Sequence, residues 1–101
     1  MKNNIYYISG KITGCDLREA QKKFFNAERE IMDKFPDSGF VNPMGTYLGS
    51  NVSWDRYMEV DLELLEKYAN AIYMLSDYRE SKGAILELER AKELGYKIEY
   101  Q

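Results

Sequence analysis

Histidine is absent from this chain of 101 residues, and cysteine occurs once, as Cys15. A Ser-His-Asp or Cys-His nucleophile system within one chain is therefore excluded, and so is a zinc site built from cysteine and histidine. Any acid–base chemistry has to come from carboxylates, tyrosine or lysine. A single cysteine cannot form an internal disulfide, which fits a reducing compartment.

Long apolar runs and blocks of like charge are also missing. No stretch approaches the roughly 18 apolar residues that cross a bilayer, so we expect no membrane partner. The apolar part of the amino terminus is too short for a signal peptide, which predicts a cytoplasmic protein. The formal net charge is −3 and no basic cluster is present, which argues against a nucleic-acid polymer as a partner.

The length predicts one domain, residues 1–101. Runs rich in β-branched and aromatic residues alternate with runs in which apolar residues recur at helical spacing. Three helices are predicted, the first two capped by Asp16 and Ser53 and the third at about residues 84–94. Four strands are predicted at residues 5–9, 40–42, 71–76 and 97–100. This order predicts an α/β three-layer sandwich, Rossmann- or flavodoxin-like, with a mainly parallel sheet of about four strands.

In such a sheet a ligand binds beyond the carboxyl ends of the strands, where the strand order reverses. The loop at residues 10–14, Gly-Lys-Ile-Thr-Gly, follows the first strand and lies at that edge. It matches neither the Walker A nor the G-x-G-x-x-G pattern, so ATP hydrolysis and dinucleotide binding gain no support. Two interpretations stay open: a backbone cradle for an anion with Lys11 adding charge, or a tight turn with a solvated lysine.

Two carboxylates stand out on the predicted helices. Asp61 lies within the apolar stripe of the second helix, where an unpaired charge would be costly. Burial would raise its pKa and make it a usable general acid. Glu87 lies on the flank of the apolar face of the third helix, near the helix start. The alternatives are an Asp61 that is partly exposed or bonded to a backbone amide or to Arg56, and a Glu87 at the rim of an amphipathic helix.

Nine tyrosines are many for this length. Tyr6 and Tyr7 should point to opposite faces of the first strand, and one of them should end near the ligand edge. Most tyrosines are expected in the core or at an interface, while stacking on a purine or pyrimidine stays open for one or two of them. Trp54 is expected in the core. Cys15 is expected to be inert.

Taken together, these segments resemble the nucleoside 2-deoxyribosyltransferase-like family. The likeness is greatest to its compact phage and bacterial members and to relatives that are deoxynucleoside 5′-monophosphate N-glycosidases. The matching pieces, in family order, are YYISGKITG, NP after the second strand, DLELL, AIYML and SKGAILELERAKELG. The most specific piece is Ser81-x-Gly83-x-x-x-Glu87, with Asp61 upstream.

The resemblance implies a role for each matching residue. Glu87 corresponds to the glutamate that attacks the anomeric carbon of the sugar, Asp61 to the aspartate that handles the proton of the departing base, and Tyr7 to the tyrosine that orients the glutamate. Two-carboxylate chemistry of this kind needs no metal and no cofactor. It also needs two different pKa values, with Glu87 ionised and Asp61 protonated. The positions that would hold the 5′ end of the sugar or a 5′-phosphate are Gly10, Lys11, Ile12, Thr13, Ser81 and Gly83.

The expected function is cleavage of the N-glycosidic bond of a (deoxy)nucleoside or its 5′-monophosphate, by hydrolysis or by base exchange. Because family members are dimers or larger, a homo-oligomer is expected, and Leu86 would suit its interface. Two alternatives stay open. A catalytically silent nucleotide-binding module, such as a sensor or sponge, would not need Glu87 and Asp61. A small interaction domain without a ligand would tolerate any substitution of Lys11 or Glu87.

Overall fold

The computed structural model describes residues 3–46 and 52–101. Its four strands pair in parallel in the order β2-β1-β3-β4, which is the flavodoxin-like order. The predicted α/β fold with a parallel sheet is therefore confirmed. The second strand is shifted one residue towards the amino terminus, and the third ends two residues earlier than predicted. The strands are β1 (Ile5–Ser9), β2 (Gly39–Val41), β3 (Ala71–Met74) and β4 (Lys97–Tyr100).

Three helices connect the strands, namely α1 (Leu17–Lys34), α2 (Trp54–Tyr68) and α3 (Lys82–Glu93). Asp16 and Ser53 cap α1 and α2 as predicted, because each side chain accepts backbone N–H groups of the first turn. Helix α3 begins earlier than predicted because the Ser81 hydroxyl accepts the N–H of Ala84 and caps the helix there. No helix in the described part of the chain combines the length and apolar character that a bilayer span requires.

The sheet is covered on both faces. The chain moves from β1 to β2 in one direction and from β2 through β3 to β4 in the other, so right-handed crossovers place α1 on one face and α2 with α3 on the opposite face. One core cluster contains the buried α1 residues Ala20, Phe24, Ala27 and Ile31. The other contains the buried helical residues Leu65, Ala84, Leu88 and Ala91. The strand order reverses between β1 and β3, and this is where a ligand site is expected.

Strand β1 is the centre of both clusters. Its side chains from Tyr6 to Ser9 are buried, and burial of each large apolar side chain contributes about 1.5–3 kcal/mol. Tyr6 packs in the core beneath α1, whereas Tyr7 packs in the core beneath α2 and α3. The prediction that these two tyrosines face opposite sides is therefore confirmed. Alternation along the strand brings Ser9 to the same side as Tyr7.

The two tyrosines on the α1 side of the sheet offer a test of this packing. The Tyr6 hydroxyl is buried and has no hydrogen-bond partner within residues 3–46 and 52–101. The Tyr73 hydroxyl accepts from Lys34 Nζ at 2.9 Å and donates to Glu30 Oε1 at 2.7 Å. An unmet buried polar group costs about 1–3 kcal/mol, whereas a made hydrogen bond contributes about 0.5–1.5 kcal/mol.

We therefore expect Tyr6→Phe to raise the free energy of unfolding by about 1 kcal/mol. The matched Tyr73→Phe variant should lower it by about the same amount, because it loses two hydrogen bonds. Urea unfolding followed by circular dichroism measures both changes. A Tyr6→Phe variant less stable than the starting protein would show that this hydroxyl has a partner after all.

Candidate active site

A cavity of about 280 Å³ opens at the carboxyl end of β1. Its wall contains residues from the loop after β1, from the segment after β2, and from the first turns of α2 and α3. The position agrees with the reversal of strand order between β1 and β3. The volume lies near the lower end of the range of about 300–1,000 Å³ that small-molecule sites have. The cavity is therefore of a size for one small organic ligand.

Most of the residues predicted for the site meet at this cavity. All three predicted catalytic residues contribute to its wall, namely Tyr7, Asp61 and Glu87. Five of the six predicted substrate-binding residues do so as well, namely Gly10, Ile12, Thr13, Ser81 and Gly83. The two acidic side chains come from separate helices, so the tertiary structure brings together what the sequence keeps 26 positions apart. Lys11 lies outside the cavity wall.

Glu87 is the most constrained of these side chains. It is only 5% exposed, and both of its carboxyl oxygens accept hydrogen bonds from β1. The Tyr7 hydroxyl donates to Oε2 at 2.5 Å, and the Ser9 hydroxyl donates to Oε1 at 2.7 Å. These contacts arise because Tyr7 and Ser9 are two residues apart on one face of the strand. Glu87 is thus fixed in one orientation at the edge of the cavity.

Glu87 lies on the buried face of α3. The buried residues of this helix are Ala84, Glu87, Leu88 and Ala91, which have the spacing of one helical face. The reading of Glu87 as an exposed rim residue is therefore wrong. The side of α3 that carries Glu87 faces the end of β1, where Tyr7 and Ser9 contact it.

Asp61 is the second buried acid of the cavity. It is 8% exposed and lies between Met58 and Leu65 on the buried face of α2. Burial raises the pKa of its carboxyl group to about 7. The reading of Asp61 as a partly exposed end of the stripe is therefore wrong. A carboxyl group with a pKa near neutrality can both hold and release a proton at physiological pH.

The pKa of Glu87 is raised further, to about 8. Burial is the largest cause and the nearby charge of Asp61 adds to it, whereas the hydrogen bonds from Tyr7 and Ser9 act in the opposite direction. The pKa of Tyr7 is raised well above its usual value by burial and by the two carboxylates, so its hydroxyl stays a donor. Burial thus favours the protonated form of Glu87, whereas the role that the resemblance implies needs the ionised form.

The loop after β1 is held by charged groups of the chain itself. The Lys11 N–H donates to Asp77 Oδ1 at 3.1 Å, and Lys23 Nζ donates to the Lys11 carbonyl at 2.6 Å. Lys23 Nζ also lies 2.5 Å from Asp77 Oδ2. The Lys11 side chain is directed to Glu80, with Nζ 4.0 Å from Oε1. Both the backbone amide and the ammonium group of Lys11 therefore have partners outside the cavity.

Two glycines in the wall allow close packing. A Cβ atom at Gly10 would lie 2.6 Å from Leu75 Cδ1, so this position admits no side chain unless Leu75 moves. A Cβ atom at Gly83 would lie 3.0 Å from Met58 Sδ, which means that the start of α3 rests directly on α2. These contacts give both glycines a packing role in addition to their place in the wall.

Several residues of the site were not predicted, namely Ser9, which donates to Glu87 but lies outside the cavity wall, and three residues of the wall itself. Ser9 could have been found by counting two residues onward from Tyr7 along the strand. Trp54, Tyr57 and Met58 could have been found by stepping back from Asp61 at helical spacing, since all of them contribute to the wall. Trp54 is half-buried there rather than part of the core, so the expectation of a core tryptophan is wrong. Among the described residues, no group of three or more cysteines and acids is placed to hold a metal ion.

The raised pKa of Glu87 has a consequence for stability. Between the usual glutamate pKa of 4.5 and about 8, the unfolded chain releases a proton that the folded protein keeps. Stability therefore declines as the pH rises through this range, by up to about 1.4 kcal/mol per pH unit. Glu87→Gln removes this titration, and the Ser9 hydroxyl can turn to accept from the new amide.

We therefore expect Glu87→Gln to be close to the starting protein in stability at pH 5 and more stable than it at pH 9. Thermal unfolding at a series of pH values measures the stability of both proteins. Because Asp61 titrates in both, the comparison between them reports mainly on Glu87. Glu89→Gln on the exposed side of α3 is the control and should give parallel curves. A constant gap between Glu87→Gln and the starting protein at all pH values would contradict the raised pKa.

Comparison with known proteins places the chain in a family. No curated protein and no solved structure matches it. One family model, described as "Domain of unknown function (DUF4406)", matches residues 4–100, which includes every residue assigned to the cavity. The chain belongs to this family, the DUF4406 domain family.

Proposed function

We propose that the protein cleaves the N-glycosidic bond of a (deoxy)nucleoside or its 5′-monophosphate, with Glu87 as the nucleophile. The observation that carries this proposal is the position of Glu87, which is fixed by Tyr7 and Ser9 in the same small cavity as Asp61. The resemblance of the ordered segments to the nucleoside 2-deoxyribosyltransferase-like family supports the same reaction. The DUF4406 description neither names an activity nor opposes this one.

The reaction needs two functions that the two acids can supply. A carboxylate oxygen of Glu87 forms a bond to the anomeric carbon while the bond from that carbon to the base nitrogen breaks. The electron pair of the broken bond stays with the base, and the proton of Asp61 passes to the base. Water, or a second base, then attacks the anomeric carbon, its proton passes to the Asp61 carboxylate, and Glu87 leaves as a carboxylate.

The hydrogen bonds of Glu87 suit this role. Tyr7 and Ser9 stabilise the ionised form of the carboxyl group, and they hold its oxygens at a fixed position relative to a bound sugar. Positive charge that develops on the sugar ring stabilises the ionised form further. A bound substrate can therefore favour the ionised form of Glu87 that the reaction needs.

The 5′ end of the sugar would lie against the loop after β1 and the start of α3. Gly10, Ile12 and Thr13 would contact it from the loop, and Ser81 and Gly83 from the helix. The partial positive charge at the start of the 12-residue α3 would favour an oxygen-rich group there. We place the reaction in the cytoplasm, in keeping with the single cysteine, and expect a homodimer or larger homo-oligomer.

A panel of nucleosides, deoxynucleosides and their 5′-monophosphates tests the reaction. We expect purified protein to release free base from at least one of them, as measured by chromatography. Glu87→Gln should slow the release by at least about 1,000-fold, because the nucleophile is lost. The exposed Glu89→Gln serves as the matched control and should keep the full rate.

A second candidate function is a silent nucleotide-binding module. It is favoured by the pKa of Glu87 near 8, which leaves most of the carboxyl groups protonated at neutral pH. In that case a nucleoside or nucleotide would bind the starting protein and Glu87→Gln alike, and neither would release base. Calorimetry beside the chromatographic assay separates the two functions.

The ratio kcat/KM for base release should depend on pH as a bell, because this ratio reports the pKa values of the protein before substrate binds. It should rise as Glu87 loses its proton and fall as Asp61 loses its own, with a maximum at about pH 7.5, between the values of about 7 and 8. Because the two groups interact, the two limbs belong to the pair. Asp61→Asn should lower the maximum and remove the falling limb. A rate independent of pH from 6 to 9 would contradict the assigned roles.

A further inference from the structure

We infer that one face of α2 is the binding surface for the aromatic base of the substrate. This surface, called here the α2 wall, consists of Trp54, Tyr57, Met58 and Asp61. The inference rests on the proposed function, because it assigns the part of the ligand that lies beyond the sugar. It adds Trp54, Tyr57 and Met58, which neither the family description nor the sequence analysis assigns to ligand binding.

The four residues are spaced so that they form one continuous surface. They are separated by three, one and three positions, which is the spacing of a single helical face. All four contribute to the cavity wall. From Trp54 to Asp61 the helix rises by about 10 Å, so the α2 wall is longer than a purine ring system is wide. A flat ligand can therefore lie along it and still reach Asp61.

The chemistry of the inner end fixes which part of the ligand lies there. Asp61 must come within about 2.6–3.2 Å of a base nitrogen to give it a proton. The sugar must at the same time be in contact with Glu87, which belongs to α3. The base consequently lies on the α2 side of the cavity, with Met58 one turn away from the proton donor. Met58 and Tyr57 supply a polarizable thioether and an aromatic ring, both of which pack well on a heterocycle.

The outer end of the α2 wall is an indole ring held by a cation. Lys82 Nζ lies 4.9 Å from the centre of the Trp54 ring, which links the first residues of α2 and α3. Such a contact favours the observed orientation of the indole ring. A ring whose orientation is already favoured loses less conformational freedom when a ligand stacks on it, so Trp54 is suited to stacking. Trp54 is half-buried, so part of its surface is covered already and part meets solvent.

Trp54 is the single tryptophan of the chain, so its fluorescence reports on this surface alone. The test titrates the free bases adenine, hypoxanthine, cytosine, thymine and uracil, and separately 2-deoxyribose, into the Glu87→Gln protein. We expect at least one base, and its nucleoside, to change the fluorescence in a saturable manner. The sugar alone should leave it unchanged. A change caused by the sugar and by none of the bases would overturn the inference.

Substitution measures how much the indole contributes. In the Glu87→Gln background, Trp54→Ala should weaken binding of the responding nucleoside by about 5- to 150-fold in calorimetry. Trp54→Phe keeps an aromatic surface and should stay within about 5-fold of the parent. In the active protein, Trp54→Ala should raise KM more than it lowers kcat. Equal affinities of the Ala, Phe and Trp proteins would overturn the inference.

These measurements separate the binding surface from the reaction. The Glu87→Gln background cannot carry out the proposed chemistry, so base binding at the α2 wall is observed even if the active protein releases no base. If the active protein releases base while no base or nucleoside affects Trp54, the reaction stands and the α2 wall is wrong. If no base or nucleoside changes the fluorescence of Glu87→Gln, and the active protein releases no free base, both proposals fail.

Discussion

The two hydrogen bonds from Tyr7 and Ser9 to Glu87 join the end of β1 to the buried face of α3. A carboxyl group 5% exposed would be costly in its ionised form without such partners, because an unpaired buried charge loses its hydration. The spacing of Tyr7 and Ser9 along the strand, and the angle at which α3 crosses it, both have to be right for the contacts to form. The position of the nucleophile in the proposed reaction depends on this arrangement.

The site is maintained at a cost in stability. Burial raises the pKa values of both Glu87 and Asp61. At neutral pH the folded protein therefore keeps protons that the unfolded chain would release. The remainder of the structure offsets this cost with two apolar clusters on either side of the sheet. An arrangement of buried acids that weakens the fold is typical of functional sites, where perturbed pKa values concentrate.

The loop after β1 illustrates how internal charges limit what a loop can bind. Asp77 and Lys23 tie the backbone of Lys11 to the segment after β3, and Glu80 lies near its ammonium group. The part of the loop that still faces the cavity is Gly10, Ile12 and Thr13, which offers little positive charge. The α2 side of the cavity, with its aromatic and thioether groups, is therefore the better-developed surface for recognition.

The sequence by itself determined the elements, because strand and helix patterns and end signals act over a few residues. Asp16 and Ser53 cap two helices, and Gly95 follows the last residues of α3 with a positive φ of 73° that glycine adopts readily. Alternating strands and helices in turn limited the fold to a parallel sheet with covered faces. The tertiary structure alone decided that Glu87 is buried rather than at a rim, that Trp54 is half-buried beside Lys82 rather than in the core, and that Lys11 lies outside the cavity. Each of these outcomes depends on a residue 25 or more positions away, namely Tyr7, Lys82 or Asp77. Local sequence patterns cannot predict which distant side chain will be in contact.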